Sequence, residues 1–201
     1  MSIPNLIESY SNYFRCQPSQ VYSQPCLTSI SVPAISVCLF EKQHTGLPHD
    51  VLITAGMSLT SMSFPENFSG ERWSSELIQY LDTVEKTDFQ WLTWLAELPF
   101  FDSFVLGHGH SVTYHESLYP EHKSKLSKFL LLETTIVNDR NILASSPDTT
   151  FPCEILWVIP LTDAEYRLKI DSGFGKLLDK FDENKHPLIL NKQRSCYVSG
   201  I

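Results

Sequence analysis

The spacing of apolar and polar residues predicts where helices and strands lie along the chain. In the first helix, apolar residues recur at intervals of three and four, at Ile3, Leu6, Ile7, Tyr10 and Phe14. Ser2 can cap this helix, and we expect it to end near Cys16, before Pro18. Residues 17–33 are rich in Ser, Gln and Pro, which predicts an irregular connection.

Short apolar runs predict the strands. Residues 34–40 (AISVCLF) and 51–55 (VLITA) are separated by a loop with Gly and Pro, which is typical of an antiparallel pair with a long connection. Residues 111–128 alternate polar and charged groups and predict a surface loop. Residues 129–137 (FLLLETTIV) predict a further strand or strand pair, and residues 138–140 predict a turn.

The most clearly patterned stretch is residues 154–184. It opens with the apolar run ILWVI, which is typical of a strand covered on both faces. Pro160 lacks the amide N–H that a β-ladder uses, so we expect the strand to stop there. Thr162 and Glu165 have capping-box spacing and predict the start of a helix. Gly173 is expected to end that helix and to separate it from a second one.

Residues 88–99 predict another helix, with a broad apolar face. Thr87 or Asp88 can cap its start, and Pro99 is expected to end it. Taken together, the elements predict an α+β domain, in which helices pack on a mainly antiparallel mixed sheet.

Composition and charge narrow the class of function. The chain has 201 residues, 42% hydrophobic and 19% charged, which fits one soluble globular domain. Its net charge of −8 and its scattered 15 Lys and Arg residues argue against nucleic-acid binding. No apolar run approaches the roughly 20 residues of a membrane helix, and the first residues do not resemble a secretory signal. We therefore expect a cytoplasmic protein that binds neither nucleic acid nor membrane.

The sequence nominates no catalytic residue and no cofactor. It lacks the G-x-S-x-G, G-x-G-x-x-G and G-x-x-x-x-G-K motifs of nucleophilic and phosphate-binding sites. Its five cysteines are an odd number without a C-x-x-C pair, which favours a reduced environment.

The one pattern that suggests chemistry is a group of histidines. In a strand, His108 and His110 would point to the same face, as two metal ligands could. The neighbouring glycines favour a turn instead, with the histidines bonded to backbone. A metal-assisted enzyme built around His108, His110 and His115 is the alternative function.

Several segments together resemble the suppressor-of-fused (SUFU) family. They are VLITAGMS at 51–58, ELIQYL at 76–81, FLLLE at 129–133, and 154–181 with PLTDAEYRLKIDSGFGKLLDKF. The tail DENKHPLILNKQRSC is also similar to the family's closing segment, in which an Arg-Ser pair follows a polar loop. The similarity spans residues 34–197, so we divide the chain into an N-terminal helix and connection (1–33) and a SUFU-like domain (34–201).

The resemblance implies both a fold and a function. Residues 72–81, whose composition also permits a helix, are a strand in such a domain. The animal member of the family is larger and holds a transcription factor. Bacterial members are short, and many resemble immunity proteins encoded beside polymorphic toxins. The chain has this short form, which implies a non-enzymatic protein-binding module, with neutralisation of a cognate toxin as the leading interpretation.

A general regulatory or scaffold binder of a cytosolic client is a further alternative, and the oligomeric state is left open. For partner contact, the sequence favours the helix at 88–99 and the residues that follow it. Its apolar residues surround more of the helix than one buried stripe requires, and aromatic residues dominate interface energetics. Most of these aromatic residues belong in the core. The predicted partner-binding residues are Asp88, Trp91, Trp94, Glu97 and Phe101.

Overall fold

The protein is described by a computed structural model that covers residues 2–23, 34–62, 73–101, 105–143 and 153–198. The strands are β1 (Gln20–Ser23), β2 (Ser36–Phe40), β3 (Asp50–Ala55), β4 (Ser74–Leu81), β5 (Ser111–Thr113), β6 (Leu126–Glu133) and β7 (Cys153–Thr162). The α-helices are α1 (Ile3–Phe14), α2 (Lys42–Thr45), α3 (Lys86–Phe101), α4 (Val137–Arg140), α5 (Asp163–Ser172) and α6 (Phe174–Glu183). Short 3-10 turns occur at Met57–Leu59 and Pro120–His122.

The strands form one sheet with the order β1-β2-β3-β4-β7-β6-β5. Every neighbouring pair is antiparallel except β4 and β7, which are parallel at the centre. Helix α3 packs on one face of the sheet, and α1 and α6 pack on the other. This architecture confirms the predicted α+β class, a mainly antiparallel mixed sheet with helices packed on it.

The central strand β7 is buried on both faces, which explains its unbroken apolar run. Leu156 and Val158 belong to the α3 side of the core, whereas Ile155, Trp157 and Ile159 belong to the α1 side. Successive side chains of a strand point to opposite faces, so a strand between two helix layers has no row that faces solvent. The expectation of a strand covered on both faces is confirmed.

Several local predictions agree with the structure. Helix α1 begins after Ser2, whose hydroxyl accepts a hydrogen bond from the amide of Asn5. Strands β2 and β3 form the expected antiparallel pair, and residues 74–81 are a strand, as the SUFU resemblance implied. Thr162 and Glu165 form a complete capping box at the start of α5. Gly173, with a φ of 94°, ends that helix.

The expectation that the strand stops at Pro160 was wrong. Strand β7 continues to Thr162, and Pro160 is the register partner of Phe129 on β6. The parallel pairing with β4 ends earlier, at Trp157. The carbonyl of Pro160 accepts a hydrogen bond from Arg194 instead of from a strand. The N–H and C=O of one residue point to the same edge of a strand. The N–H that Pro160 lacks would therefore point to the edge where the pairing with β4 has ended, so the sheet loses no hydrogen bond.

Other expectations were wrong in detail. Helix α3 continues past Pro99 to Phe101, so the disruption that a proline causes, loss of its N–H and crowding of the carbonyl four residues earlier, is confined to the last turn. The predicted irregular connection contains β1, and the predicted surface loop contains β5 and the first residues of β6. The expected turn at 138–140 is part of α4. Edge strands as short as β1 and β5 carry too few residues for a periodic pattern.

A buried ion pair holds the C-terminal segment that follows α6. The guanidinium of Arg194 donates to both carboxylate oxygens of Glu165, at 2.6 and 2.7 Å, and to the carbonyl of Pro160 at 2.8 Å. The backbone amides of Thr162 and Tyr197 donate to the same carboxylate. Burial alone would raise the pKa of Glu165, but the hydrogen bonds and charge of Arg194 outweigh burial and lower that pKa. The buried carboxylate is thus fully compensated.

His186 belongs to the same segment. Its ring stacks on Phe181 with the centroids 4.3 Å apart, and its Nδ1 lies 3.0 Å from the hydroxyl of Tyr197. Burial, reinforced by the charge of Arg194, lowers the pKa of His186 to about 4. The folded protein therefore disfavours the protonated ring.

We predict that Arg194→Met lowers the free energy of unfolding by about 3–5 kcal/mol, because it leaves Glu165 buried without a cation. Urea unfolding followed by circular dichroism measures the change. The matched control is Arg167→Met, because Arg167 pairs with Asp163 while 70% of its side chain is exposed. Such surface pairs contribute about 1 kcal/mol or less. Equal effects of the two substitutions would contradict the role given to Arg194.

We also predict that the pKa of His186 makes the fold sensitive to acid. Its contribution to stability is fully present above a pH of about 6.5, the pKa of an unfolded-state histidine. As the pH falls toward about 4, only the unfolded chain binds the proton, and stability decreases.

The loss should reach up to about 3 kcal/mol. His186→Phe, which preserves a ring against Phe181, should lack this part of the acid sensitivity. Unfolding free energies of both proteins across that pH window provide the test. Parallel pH profiles would exclude His186 as the source.

Candidate functional site

Helix α3 carries the predicted partner-binding residues, and the structure divides them between core and surface. Phe89, Leu92 and Leu95 point into the core under the sheet. Trp91 and Trp94 are only half-buried. They are three positions apart, so they share one edge of the helix, where they pack against the border of the core.

Trp91, Trp94 and Tyr114 form one aromatic cluster. Their ring centroids lie 4.8 to 5.8 Å apart, and each pair meets edge to face. The indole N–H of Trp91 donates to the carbonyl of Leu118 at 2.8 Å, so this ring is fixed in place. Phe129 of β6 supports both indoles from below. Half-buried aromatic rings with fixed orientations lose little side-chain entropy when a partner covers them.

Two further residues extend the aromatic cluster along the same helix. Phe101, seven positions after Trp94, is 40% exposed. Glu97 lies between them and is half-buried, and burial raises the pKa of its carboxyl group. We call Trp91, Trp94, Glu97, Phe101 and Tyr114 the α3 surface. It combines large apolar groups with one carboxylate, as interface cores and their rims do.

Asp88 is not part of this surface, although the sequence assigned it there. It is 0% exposed, and its Oδ2 accepts hydrogen bonds from the ammonium of Lys192 and from the amide of Glu85, both at 2.8 Å. Helix α3 begins at Lys86. The side chain of Asp88, in the first turn, thus accepts the backbone amide of the residue that precedes the helix. Burial raises the pKa of Asp88 and outweighs the opposite effect of Lys192. Its role is to anchor the helix.

Glu85 extends this anchor to the surface. Its carboxylate lies 2.9 Å from Nε2 of His122 and 3.3 Å from the ammonium of Lys192. The hydrogen bond from His122 is the main reason why the pKa of Glu85 lies below its usual value. Glu121 approaches the same imidazole at 4.0 Å, so that Glu85, Glu121 and His122 form the one cluster of three candidate metal ligands in the described ranges. Because Lys192 already supplies a cation, we interpret the cluster as an ion-pair network.

The histidines that the sequence singled out form separate contacts. Nδ1 of His108 accepts the amide of Glu133 at 3.0 Å, and Nδ1 of His110 donates to the carbonyl of Val105 at 2.7 Å. The side chain of His115 is 80% exposed. Within the part of the chain that the structure describes, these three rings do not form a group of metal ligands. Bonding of histidines to backbone is the arrangement that the sequence favoured over a metal.

Sequence reasoning missed the buried carboxylate of Glu76. It accepts hydrogen bonds from the hydroxyls of Thr54 (2.5 Å) and Ser58 (2.6 Å) and from the amides of Gly56 (3.0 Å) and Ser58 (2.9 Å). Burial nevertheless raises its pKa. A charged residue inside the strand ELIQYL was the available signal. Its contacts fix the turn after β3, where Gly56 has a φ of 124°, so its role is structural.

Comparisons with known proteins assign the fold. A family model described as suppressor of fused protein (SUFU) matches residues 31–195. No curated protein sequence gave a match. A protein described as a SUFU homologue from Neisseria gonorrhoeae FA 1090 is similar in structure, with a TM-score of 0.72 and 14% identity, over 98% of this chain and 97% of that chain.

Two other solved structures show the same similarity. The Sufu–Fu complex gives a TM-score of 0.62 at 15% identity, over 97% of this chain and 90% of that chain. Drosophila Suppressor of Fused gives 0.57 at 15% identity, over 97% of this chain and 50% of that chain. No helix among the described residues has the length and apolar character needed to cross a membrane. Since the family model covers most of the 201 residues, the chain belongs to the suppressor of fused (SUFU) family.

Proposed function

We propose that this chain is a non-enzymatic module that binds a protein partner. The observation that carries the proposal is membership of the SUFU family, together with a fold that matches 97% of this chain to a structure of Sufu assembled with Fu. The described side chains support a binding role. His108 and His110 bond to backbone, and the carboxylates of Glu76, Asp88 and Glu165 bond to neighbouring side chains, whereas the rings of the α3 surface are only partly buried.

The α3 surface is the proposed contact. Its indoles are pre-oriented by Leu118 and Phe129, so a partner can cover them without ordering them first. Phe101 offers the most exposed ring, and Glu97 offers a negative charge beside it. A partner with apolar side chains and a neighbouring Lys or Arg would match this chemistry.

At a finer level, we propose that the partner is a toxin encoded beside this chain and that binding neutralises it. The similarity to the SUFU homologue from Neisseria gonorrhoeae supports this proposal, because the match covers 98% of this chain and 97% of that chain and many bacterial members of the family resemble immunity proteins. The net charge of −8 would attract a basic toxin. Neutralisation would be steric, with the α3 surface covering the toxin's own functional surface.

We predict that Phe101→Ala and Trp94→Ala each weaken partner binding by about tenfold or more, as the loss of aromatic anchors does at other interfaces. Isothermal titration with the co-purified partner gives the affinities. Ile170→Ala is the matched control, because Ile170 is an apolar residue on α5 that is 59% exposed. Phe101 is the most exposed of these rings and is not among the buried core residues, so Phe101→Ala best separates a binding defect from a folding defect. Unchanged affinity in both α3 variants would exclude this surface.

We predict that co-expression of this chain restores growth of cells that express the toxic product of a neighbouring gene. The two proteins should co-purify as a complex. If no neighbouring product is toxic, or none is retained, the immunity role is excluded. Retention of a non-toxic protein would instead favour a regulatory or scaffold role.

A further inference from the structure

A groove of about 610 Å³ lies away from the α3 surface, where the β1 edge of the sheet meets the start of α3. Its walls come from β1, the end of β2 and the residue after it, the start of β3, the loop before α3 and the first turn of α3. The lining residues are Gln20, Tyr22, Leu39, Glu41, Asp50, Thr83, Val84, Glu85, Lys86 and Phe89. The volume is within the range of pockets that hold small ligands or several side chains, roughly 300–1,000 Å³.

The floor of the groove is apolar. Leu39 and Phe89 are almost fully buried and belong to the core on the α3 side of the sheet, while Tyr22 and Val84 pack against that core. The rings of Tyr22 and Phe89 lie 5.7 Å apart. This floor can accept the methylene groups of a long side chain, because the transfer of such groups out of water is favourable in free energy.

The rim of the groove is acidic, and its carboxylates differ in whether a positively charged side chain lies next to them. Glu85 is already bonded to His122 and Lys192. Glu41 is half-buried, and its closest ionisable neighbour is the imidazole of His44 at 3.5 Å.

Asp50 is half-buried as well and accepts the backbone amide of Lys42 at 2.8 Å, while the ammonium of Lys42 is bonded to Asp82. In the described ranges, neither Glu41 nor Asp50 is within ion-pair distance of a Lys or Arg side chain. Lys86 is the one lysine or arginine among the lining residues, and its side chain is exposed. Glu41 and Asp50 therefore lack a direct Lys or Arg ion-pair partner among the described residues, while the Lys42 ammonium attracts Asp50 only at longer range.

We propose that this groove binds an arginine side chain of the protein partner, an inference that rests on the proposed protein-binding function. The aliphatic part of the arginine would lie on Tyr22 and Phe89, and its guanidinium would donate to Glu41 and Asp50. A planar guanidinium suits this site because it bonds to carboxylates with several N–H groups and is weakly hydrated. A bare metal ion would use the carboxylates but not the apolar floor.

The test uses the full chain and a capped tripeptide, acetyl-Arg-Leu-Arg-amide, as the probe. The control peptide carries citrulline in place of arginine, which keeps the shape and removes the charge. NMR titration should shift the amide signals of groove residues with the arginine peptide, and citrulline should weaken binding by about tenfold. Equal binding of both peptides, or no shift at the groove, would overturn the proposal.

Variants locate the site. Glu41→Gln combined with Asp50→Asn should weaken peptide binding by about tenfold, and Asn at position 50 still accepts the amide of Lys42. The matched control is Glu8→Gln combined with Asp171→Asn, two exposed carboxylates with the same change in net charge. Lys86→Gln should strengthen binding by about two- to threefold, because it removes a positive charge that repels the arginine of the peptide. If the control variant loses as much peptide affinity, the effect comes from net charge alone, and the groove is not the binding site.

The same variants separate this inference from the proposed function. If the natural partner binds the Glu41/Asp50 variant as tightly as the unmodified chain, the groove is not its arginine site, although the protein-binding function stands. If the peptide binds as described but no protein partner is retained, the arginine chemistry of the groove is supported and the proposed function fails.

Discussion

The buried ion pair between Glu165 and Arg194 is the interaction on which the C-terminal half of the structure depends. Removal of two charges from water costs several kcal/mol per ion, so the pair stabilises the fold only when further hydrogen bonds satisfy the buried carboxylate. Here, the carboxylate accepts the backbone amides of Thr162 and Tyr197 as well as both guanidinium bonds. The arrangement exists only when the end of β7, the start of α5 and the tail meet in one geometry.

A second ion pair connects the same tail to the surface proposed for function. Lys192, two residues before Arg194, donates to the buried Asp88 at the start of α3 and also lies near Glu85. The position of α3 therefore depends on residues from the end of the chain. The α3 surface, along the helix, and the arginine groove, at its start, are both positioned by this contact. A rigid attachment of this kind pre-organises binding residues before a partner arrives.

Sequence patterns succeeded where the deciding interactions are local. Helix α1, the capping box of Thr162 and Glu165 and the break at Gly173 depend on residues a few positions apart. Patterns failed where a distant neighbour decides. Pro160 remains inside β7 because the pairing of β7 with β4 has already ended at Trp157 and Arg194 takes the carbonyl of Pro160. A proline read alone predicts a stop, because the sequence does not show which edge of the strand is paired.

The sequence by itself determined the α+β class, the buried central strand and the aromatic helix as the candidate binding element, because hydrophobic periodicity and capping report local burial. Only the tertiary structure decided which polar residues face solvent. Asp88 was expected at the surface, yet it is buried because Lys192, 104 positions away, compensates its charge. The absence of a direct Lys or Arg ion pair at Glu41 and Asp50, among the described residues, is likewise invisible in the sequence, since charge compensation depends on contacts between distant parts of the chain.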